Sequence, residues 1–291
     1  MSYGPDAATA EWVIEPQTNS VFARLAEMWE YRRLLGYFSA RTLQMMYRRS
    51  SFGWIWMLIR VAGPVGLNTV IFGGVLDVKP SGTAPYFLFL LCGQTPWILF
   101  DRSLLFITRS MERNRRLVSK VYFPRLILPV AAVSPALIFL ALLILVLVGS
   151  DIYLWHRVGV WYIPLEPRLV LAPVAVLISL TFCIAVGFWT SVLQARYRDL
   201  RFGIRYTMPL LMYVSSVIYP LSQIKYPWAR ALVALNPMES AIELFRLGTL
   251  GTPLEISSAT IAGHLIAIAV TAATGIWFFN QAESASIDKL G

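Results

Sequence analysis

The sequence predicts an all-α polytopic membrane protein, and three observations lead there. Hydrophobic residues make up 57% of the 291, charged residues only 14%, and the mean hydropathy is +0.61. A soluble domain carries nearly twice that charged share. Several stretches run for more than 20 residues without Asp, Glu, Lys or Arg, long enough to cross a bilayer core. Lys and Arg, finally, gather in alternate connections between the apolar stretches. A net charge of +9 would suit a nucleic-acid binder. Here the basic residues sit between spans and form no continuous soluble face, so no nucleic-acid partner is expected. Cys92 and Cys183 fall inside apolar stretches, which indicates neither a disulfide framework nor a zinc site.

In chain order, residues 1–20 are polar and read as a disordered N-terminus. They lack the charged start and apolar run of a signal peptide. Residues 21–50 form an amphipathic interfacial helix. From Val21 to Tyr47, Val21, Leu25, Met28, Trp29 and Leu35 oppose Arg24, Glu27, Glu30 and Arg33, as suits a helix lying on a membrane surface or on a soluble partner. The remaining 51–291 read as a six-span transmembrane domain. The spans run Trp54–Leu76, Pro85–Ile107, Leu126–Val148, Leu169–Leu193, Tyr206–Leu221 and Ile256–Phe279. The third, fourth and sixth are charge-free and strongest; the fifth is short and rich in Tyr and Met.

Orientation follows from the basic residues. One set of segments holds Arg24, Arg32, Arg33, Arg41, Arg48, Arg49, the cluster Arg109–Arg125, Arg196, Arg198, Arg201, Arg205 and Lys289. The other holds only Lys79, Arg157, Arg168, Lys225, Arg230 and Arg246. Both termini are therefore expected in the cytoplasm. Pro227–Gly251 then lies outside, too short and polar to span. Pro227 can start one short helix, Asn236-Pro237 breaks it, and Gly248 or Gly251 ends the next. This is a re-entrant periplasmic helical hairpin before the last span.

The connection after the second span, about 110–125, stands out. Around NRRLVSKVYFPRLILPV (Asn114–Val130), Arg115, Arg116 and Lys120 supply charge, with Arg113 and Glu112 just before it. Leu117/Val121 and Val118/Tyr122 pair at i,i+4, and Phe123-Pro124-Arg125 turns the chain into the third span. A basic foot rigidly joined to a membrane helix suits a protein on which a soluble partner pushes. Charge alone fits equally the positive-inside rule with snorkelling side chains.

Further motifs stand in order along the chain: MMYRRSSFGWIWMLI (Met45–Ile59), YFLFLLCGQTPWILF (Tyr86–Phe100), the foot, ARYRDLRF (Ala195–Phe202), SSVIYPLSQI with NPMESAIELFR, and FFNQAESASID (Phe279–Asp288). Together they resemble the membrane (permease) subunit of type-2 ABC exporters of polysaccharides, O-antigens, capsules or teichoic acids, over nearly the whole chain from about Arg41. The chain departs from that pattern at Arg60, at Arg41 and in the displacement of a proline to Pro64. The resemblance implies a homodimer in the bacterial plasma membrane, paired with two nucleotide-binding ATPase subunits. Residues 110–125 would be the coupling helix that docks on the ATPase and 227–251 an outer gate. The chain has no GxxxxGK[ST] loop, so ATP and Mg²⁺ would be bound by the partner and no cofactor by this chain.

Several residues take candidate roles on that footing. Arg196, Tyr197, Arg198 and Asp199 form a second cytoplasmic loop. It is either topogenic, with an exposed pair worth under ~1 kcal/mol, or a contact for the ATPase or an anionic lipid head. Arg60, Asp101 and Arg102 lie within the first two spans, where charge is costly. They either pair and snorkel or receive the pyrophosphate of a polyprenyl-linked glycan in a guanidinium fork. Trp97, Phe100 and Tyr213 could stack sugars along a path, while Tyr86 and Tyr219 read as interfacial belt. Asn236 and Pro237 mark the hairpin break. Glu239, Glu243 and Arg246 share one helical face, holding the gate shut or solvating an outer helix. His156 and His264 are isolated and structural, so no metal is expected. Two other readings compete: a small-drug or lipid exporter on the same scaffold, and a membrane enzyme acting on polyprenyl phosphates. The enzyme would need clustered carboxylates. The cytoplasmic acids after residue 30, namely Asp101, Glu112, Asp199, Glu283 and Asp288, are scattered.

Overall fold

The computed structural model of the chain describes residues 28–47, 53–114 and 124–287. The predicted disordered tail, the start of the interfacial helix and most of the coupling helix, Arg115–Phe123, lie outside the described residues. Among the described residues there is no strand. The helices are α1 (Arg32–Tyr47), α2 (Gly53–Asn68), α3 (Tyr86–Thr108), α4 (Ser110–Arg113), α5 (Ile127–Ala131), α6 (Ser134–Val158), α7 (Leu171–Arg196), α8 (Leu200–Val214), α9 (Pro227–Ala234), α10 (Met238–Leu250) and α11 (Ser258–Ile287).

Among the described residues, three stretches are long and apolar enough to cross a membrane: Ile127–Val158, Pro167–Arg196 and Ser258–Ala282. They correspond to the third, fourth and sixth expected spans. The third extends ten residues beyond its expected end at Val148. Asp151, the first charge after the apolar run, does not stop it. Its carboxylate turns inward and accepts the backbone N–H groups of Tyr162 (3.0 Å) and Ile163 (3.3 Å). Because the charge is satisfied by the following connection, the helix continues to Gly159, whose φ of 75° forms a left-handed cap.

α3 and α7 form the centre. Every residue of α3 from Leu88 to Phe100 is buried, so this span meets protein on all sides. Thr95 is accommodated by donating to the Leu91 carbonyl (2.8 Å), while the buried Gln94 amide makes no hydrogen bond among the described residues. Close approach is set by small residues, as expected where no hydrophobic drive joins helices in lipid. A Cβ at Gly187 of α7 would collide with Ile107 of α3. One at Gly275 of α11 would lie 2.9 Å from the Ala185 carbonyl oxygen of α7. Ser179 donates to the Pro96 carbonyl (2.8 Å), Thr108 to Thr190 (2.9 Å), and Phe100 stacks on Phe182 at 5.2 Å.

The expected first span is not one regular helix. α2 contains Pro64 and gives way at Thr69 to a π-helical stretch, Thr69–Val75; Pro and a π-bulge are both known causes of helix irregularity. The expected fifth span, Tyr206–Leu221, is displaced. α8 starts six residues earlier, at Leu200, and ends at Val214, where Ser215 turns extended (φ −101°, ψ 159°). Side chains of the hairpin capture the backbone and hydroxyls there, as described below. α1 packs on α5, with Phe38, Ile127, Leu128 and Ala131 buried together, while Trp29 and Tyr37 stay exposed.

Candidate functional site

Two polar constructions stand at opposite ends of the bundle. At one end the hairpin forms as its residues dictate. Pro227 opens α9, and Asn236 caps the next helix by accepting the Met238 N–H (3.1 Å). Gly251, at φ 67°, closes α10. The hairpin tip reaches into the bundle. Asn236 donates to the Ser215 hydroxyl (2.9 Å), and the Ala234 carbonyl meets His264 Nε2 (2.8 Å), six residues into α11. His264 Nδ1 in turn meets Ser240 (2.7 Å), which gives this isolated histidine a structural place.

Glu239, Glu243 and Arg246 on α10 are 0, 3 and 1% exposed. They therefore do not solvate a free outer helix; they are the polar core of the hairpin end. Glu239 accepts the Ser216 N–H at 2.9 Å and also the Ser216 hydroxyl. Arg246 donates to the Val217 carbonyl (2.8 Å) and to the Phe89 carbonyl (3.4 Å). Its guanidinium lies 3.7 Å from the Phe89 ring centroid. Glu243 faces Arg246 at 3.7 Å, an ion pair outside hydrogen-bond reach, and accepts the Glu255 N–H (3.1 Å). Glu255 extends the network to Ser81 (2.6 Å) and Ser222 (2.7 and 2.9 Å). Only glycine fits at position 93. A Cβ there would collide with Arg246 Nη2 and sit 2.8 Å from the Val217 oxygen. Thus one arginine ties α10, α3 and the turn after α8 together. Sequence reading found the triad through its helical spacing and had Gly93 and Ser216 within its motifs, but it missed their place beside Arg246 and Glu239, and it missed Glu255 altogether.

At the other end, α3 breaks at Arg109 and re-forms as α4, with Asn114 donating back to Ser110 (2.9 Å). Partial burial, then neighbouring Arg109, lower the pKa of Arg113. Of the coupling-helix candidates, Glu112 and Arg113 stand on this turn. Pro124 and Arg125 lead into α5, while Arg115, Arg116, Leu117, Lys120, Val121, Tyr122 and Phe123 lie outside the described residues. Glu112 reaches the second loop, facing Arg201 at 3.7 Å and accepting Gln194 Nε2 at 3.1 Å. Arg196, Tyr197, Arg198 and Asp199 form a short exposed connection between α7 and α8, in which Arg196 covers the Tyr197 ring at 5.6 Å.

The path candidates separate. Asp101 and Arg102 pair at 3.5 Å, with Arg102 also 5.7 Å from the Phe139 ring. Trp97 and Phe100 are buried in the central core, 5.9 Å apart. Tyr213 is exposed near the end of α8, 6.3 Å from Phe72 of the π-helical stretch. The Arg60 side chain lies outside the description.

Long apolar helices packed around an internally bonded helical hairpin define a multi-pass membrane protein. Its family follows from comparison: residues 33–250 match the ABC-2 type transporter family, and the chain belongs to it. This is a family of transporter membrane subunits. The chain is 30% identical over 223 residues to the O-antigen export system permease protein RfbA of Myxococcus xanthus, covering 76% of this chain and 81% of that protein. Two Klebsiella pneumoniae proteins of the same name are similar. One is 25% identical over 85% of this chain and 91% of its own length, the other 28% over 75% and 82%.

Proposed function

We propose that this chain is the membrane-spanning subunit of an ATP-driven exporter that moves a lipid-linked, O-antigen-type polysaccharide across the bacterial plasma membrane. It works as a homodimer with two separate ATPase subunits, which bind ATP and Mg²⁺, and both its termini lie in the cytoplasm. The observation that carries this reading is the likeness to O-antigen export permeases along most of the chain, together with the family. The geometry supports it at both ends. The foot, about 110–125, grows directly from α3, so a push on it reaches the centre of the bundle. The hairpin, about 227–251, is held by buried charge against α3 and acts as the outer gate. Between them α2, the π-helical stretch that follows it, and α8 pack loosely on their own subunit and expose Leu67, Val70, Tyr206 and Leu210, apolar faces suited to a second copy.

In this mechanism ATPase closure pushes the foot, and the two subunits' first and fifth spans separate along α2 and α8. The lipid anchor enters at the inner leaflet. Arg60 and Arg102, the latter oriented by Asp101, receive its pyrophosphate, and Tyr213 offers a flat face to sugars. Trp97 and Phe100 form the wall behind that path.

Co-purification tests the proposal. The chain is expressed with the ATPase encoded beside it, with and without Arg113→Glu, Arg116→Glu and Lys120→Glu. A stable complex that the substituted foot abolishes is expected. A chain that never retains an ATPase would overturn the reading.

A further inference from the structure

Gln194 occupies the last turns of α7 and is completely buried, although it is polar and lies next to an exposed basic loop. A polar side chain buried in that way is costly unless its hydrogen-bonding groups are met. Both ends of this amide are. Nε2 donates to Glu112 Oε2 of the foot (3.1 Å) and to the Arg198 carbonyl of the second loop (3.0 Å). Oε1 accepts the backbone N–H of Arg201 (2.8 Å), in the first turn of α8. Arg201 closes the circle with its ion pair to Glu112 at 3.7 Å. The foot, remote in sequence, is therefore joined through Gln194 to the second loop and the start of α8, which follow Gln194 in the chain. On α8 itself only Ile204 and Met208 are buried, so this helix has little other packing through which its cytoplasmic end could be moved.

We infer that Gln194 is a positioning residue that transmits displacement of the foot to α8. The inference rests on the exporter reading, since it needs a foot that an ATPase pushes. Its chemistry is directional. Glu112 accepts from the amide nitrogen, while the amide oxygen holds the α8 N-terminus. A movement of Glu112 thus pulls on an N–H and a C=O of the same planar group. An apolar residue of similar size would fill the space but bond neither to Glu112 nor to the Arg201 backbone, leaving the foot joined to α8 through the looser, partly exposed Glu112–Arg201 ion pair.

The test uses the complete complex with its ATPase. Gln194→Leu keeps the volume and removes the bonds. Gln194→Glu keeps the shape but sets two carboxylates against each other at Glu112. In both, the complex is expected to assemble and hydrolyse ATP near the wild-type rate, while polysaccharide reaching the cell surface falls about tenfold or more, the scale of losing a hydrogen bond to a charged group. The exchanged pair Glu112→Gln/Gln194→Glu lets the bond re-form with its donor on the other side and is expected to recover export in part relative to either single variant. Export at wild-type level in Gln194→Leu would overturn the inference. So would single variants that fail to assemble and an exchanged pair that does not recover, since Gln194 would then serve folding alone. Failure of the wild-type chain to bind any ATPase would instead defeat the exporter reading.

Discussion

The α3–α7–α10 block and the α2–α8 pair are made from similar apolar residues, yet they are held in opposite ways. In the block, α3 is enclosed along its length and polar groups are bonded across helices: Arg246 to Val217, Ser179 to Pro96, Thr108 to Thr190. In the pair, helices are irregular, with Pro64 and a π-helical stretch in one and Pro209 in the other. Their apolar side chains face outward. Lipid supplies no hydrophobic drive between helices, so specificity must come from packing and polar bonds. The block has both along its length; the pair has few buried residues, among them Val61, Val65, Ile204 and Met208, and its bonds to Gln194 and Glu112 are gathered at the start of α8. In the proposed mechanism the block is the frame and the pair the moving seam.

Breaking the frame at its most buried charge should have the largest effect. Arg246→Met leaves Glu239 and Glu243 buried without their cation, and loss of one partner of such a cluster costs about 3–5 kcal/mol. Denaturant unfolding of the detergent-purified protein should show a marked loss of stability, and the hairpin should become accessible to protease. A paired truncation sharpens the contrast. Leu91→Ala in α3, at a fully buried position, should cost about 2–5 kcal/mol. Leu210→Ala on α8, 66% exposed, should fall within about 0.5 kcal/mol in the separated subunit. Equal effects would erase the distinction between frame and seam. Gly93→Ala comes next. Alanine ordinarily favours a helix over glycine by about 1 kcal/mol, but here the added methyl meets Arg246. Overpacking should reverse the sign and destabilise by about 1–3 kcal/mol, measured by the same unfolding curve.

The legible parts of the molecule were those whose cause is local. The third, fourth and sixth spans announce themselves by absence of charge, and the hairpin by Pro227, Asn236-Pro237 and Gly251. What escaped depends on distant partners. α8 ends at Val214 because Glu239 and Asn236, more than twenty residues on, engage Ser216 and Ser215. Asp151 marks no helix end because a later connection satisfies it. The i,i+4 and i,i+3 spacing put Glu239, Glu243 and Arg246 on one face but left open whether that face met water or protein. Gln194 gave no signal at all, since a glutamine near a basic loop looks like surface until its three partners are placed around it.

The central claim is that this chain carries polysaccharide out of the cell, and the most direct measurement is made in the organism that encodes it. Deleting the coding sequence should remove the surface polysaccharide and leave the glycan inside, still joined to its lipid carrier. Surface polysaccharide unchanged in amount and length after the deletion would contradict the account.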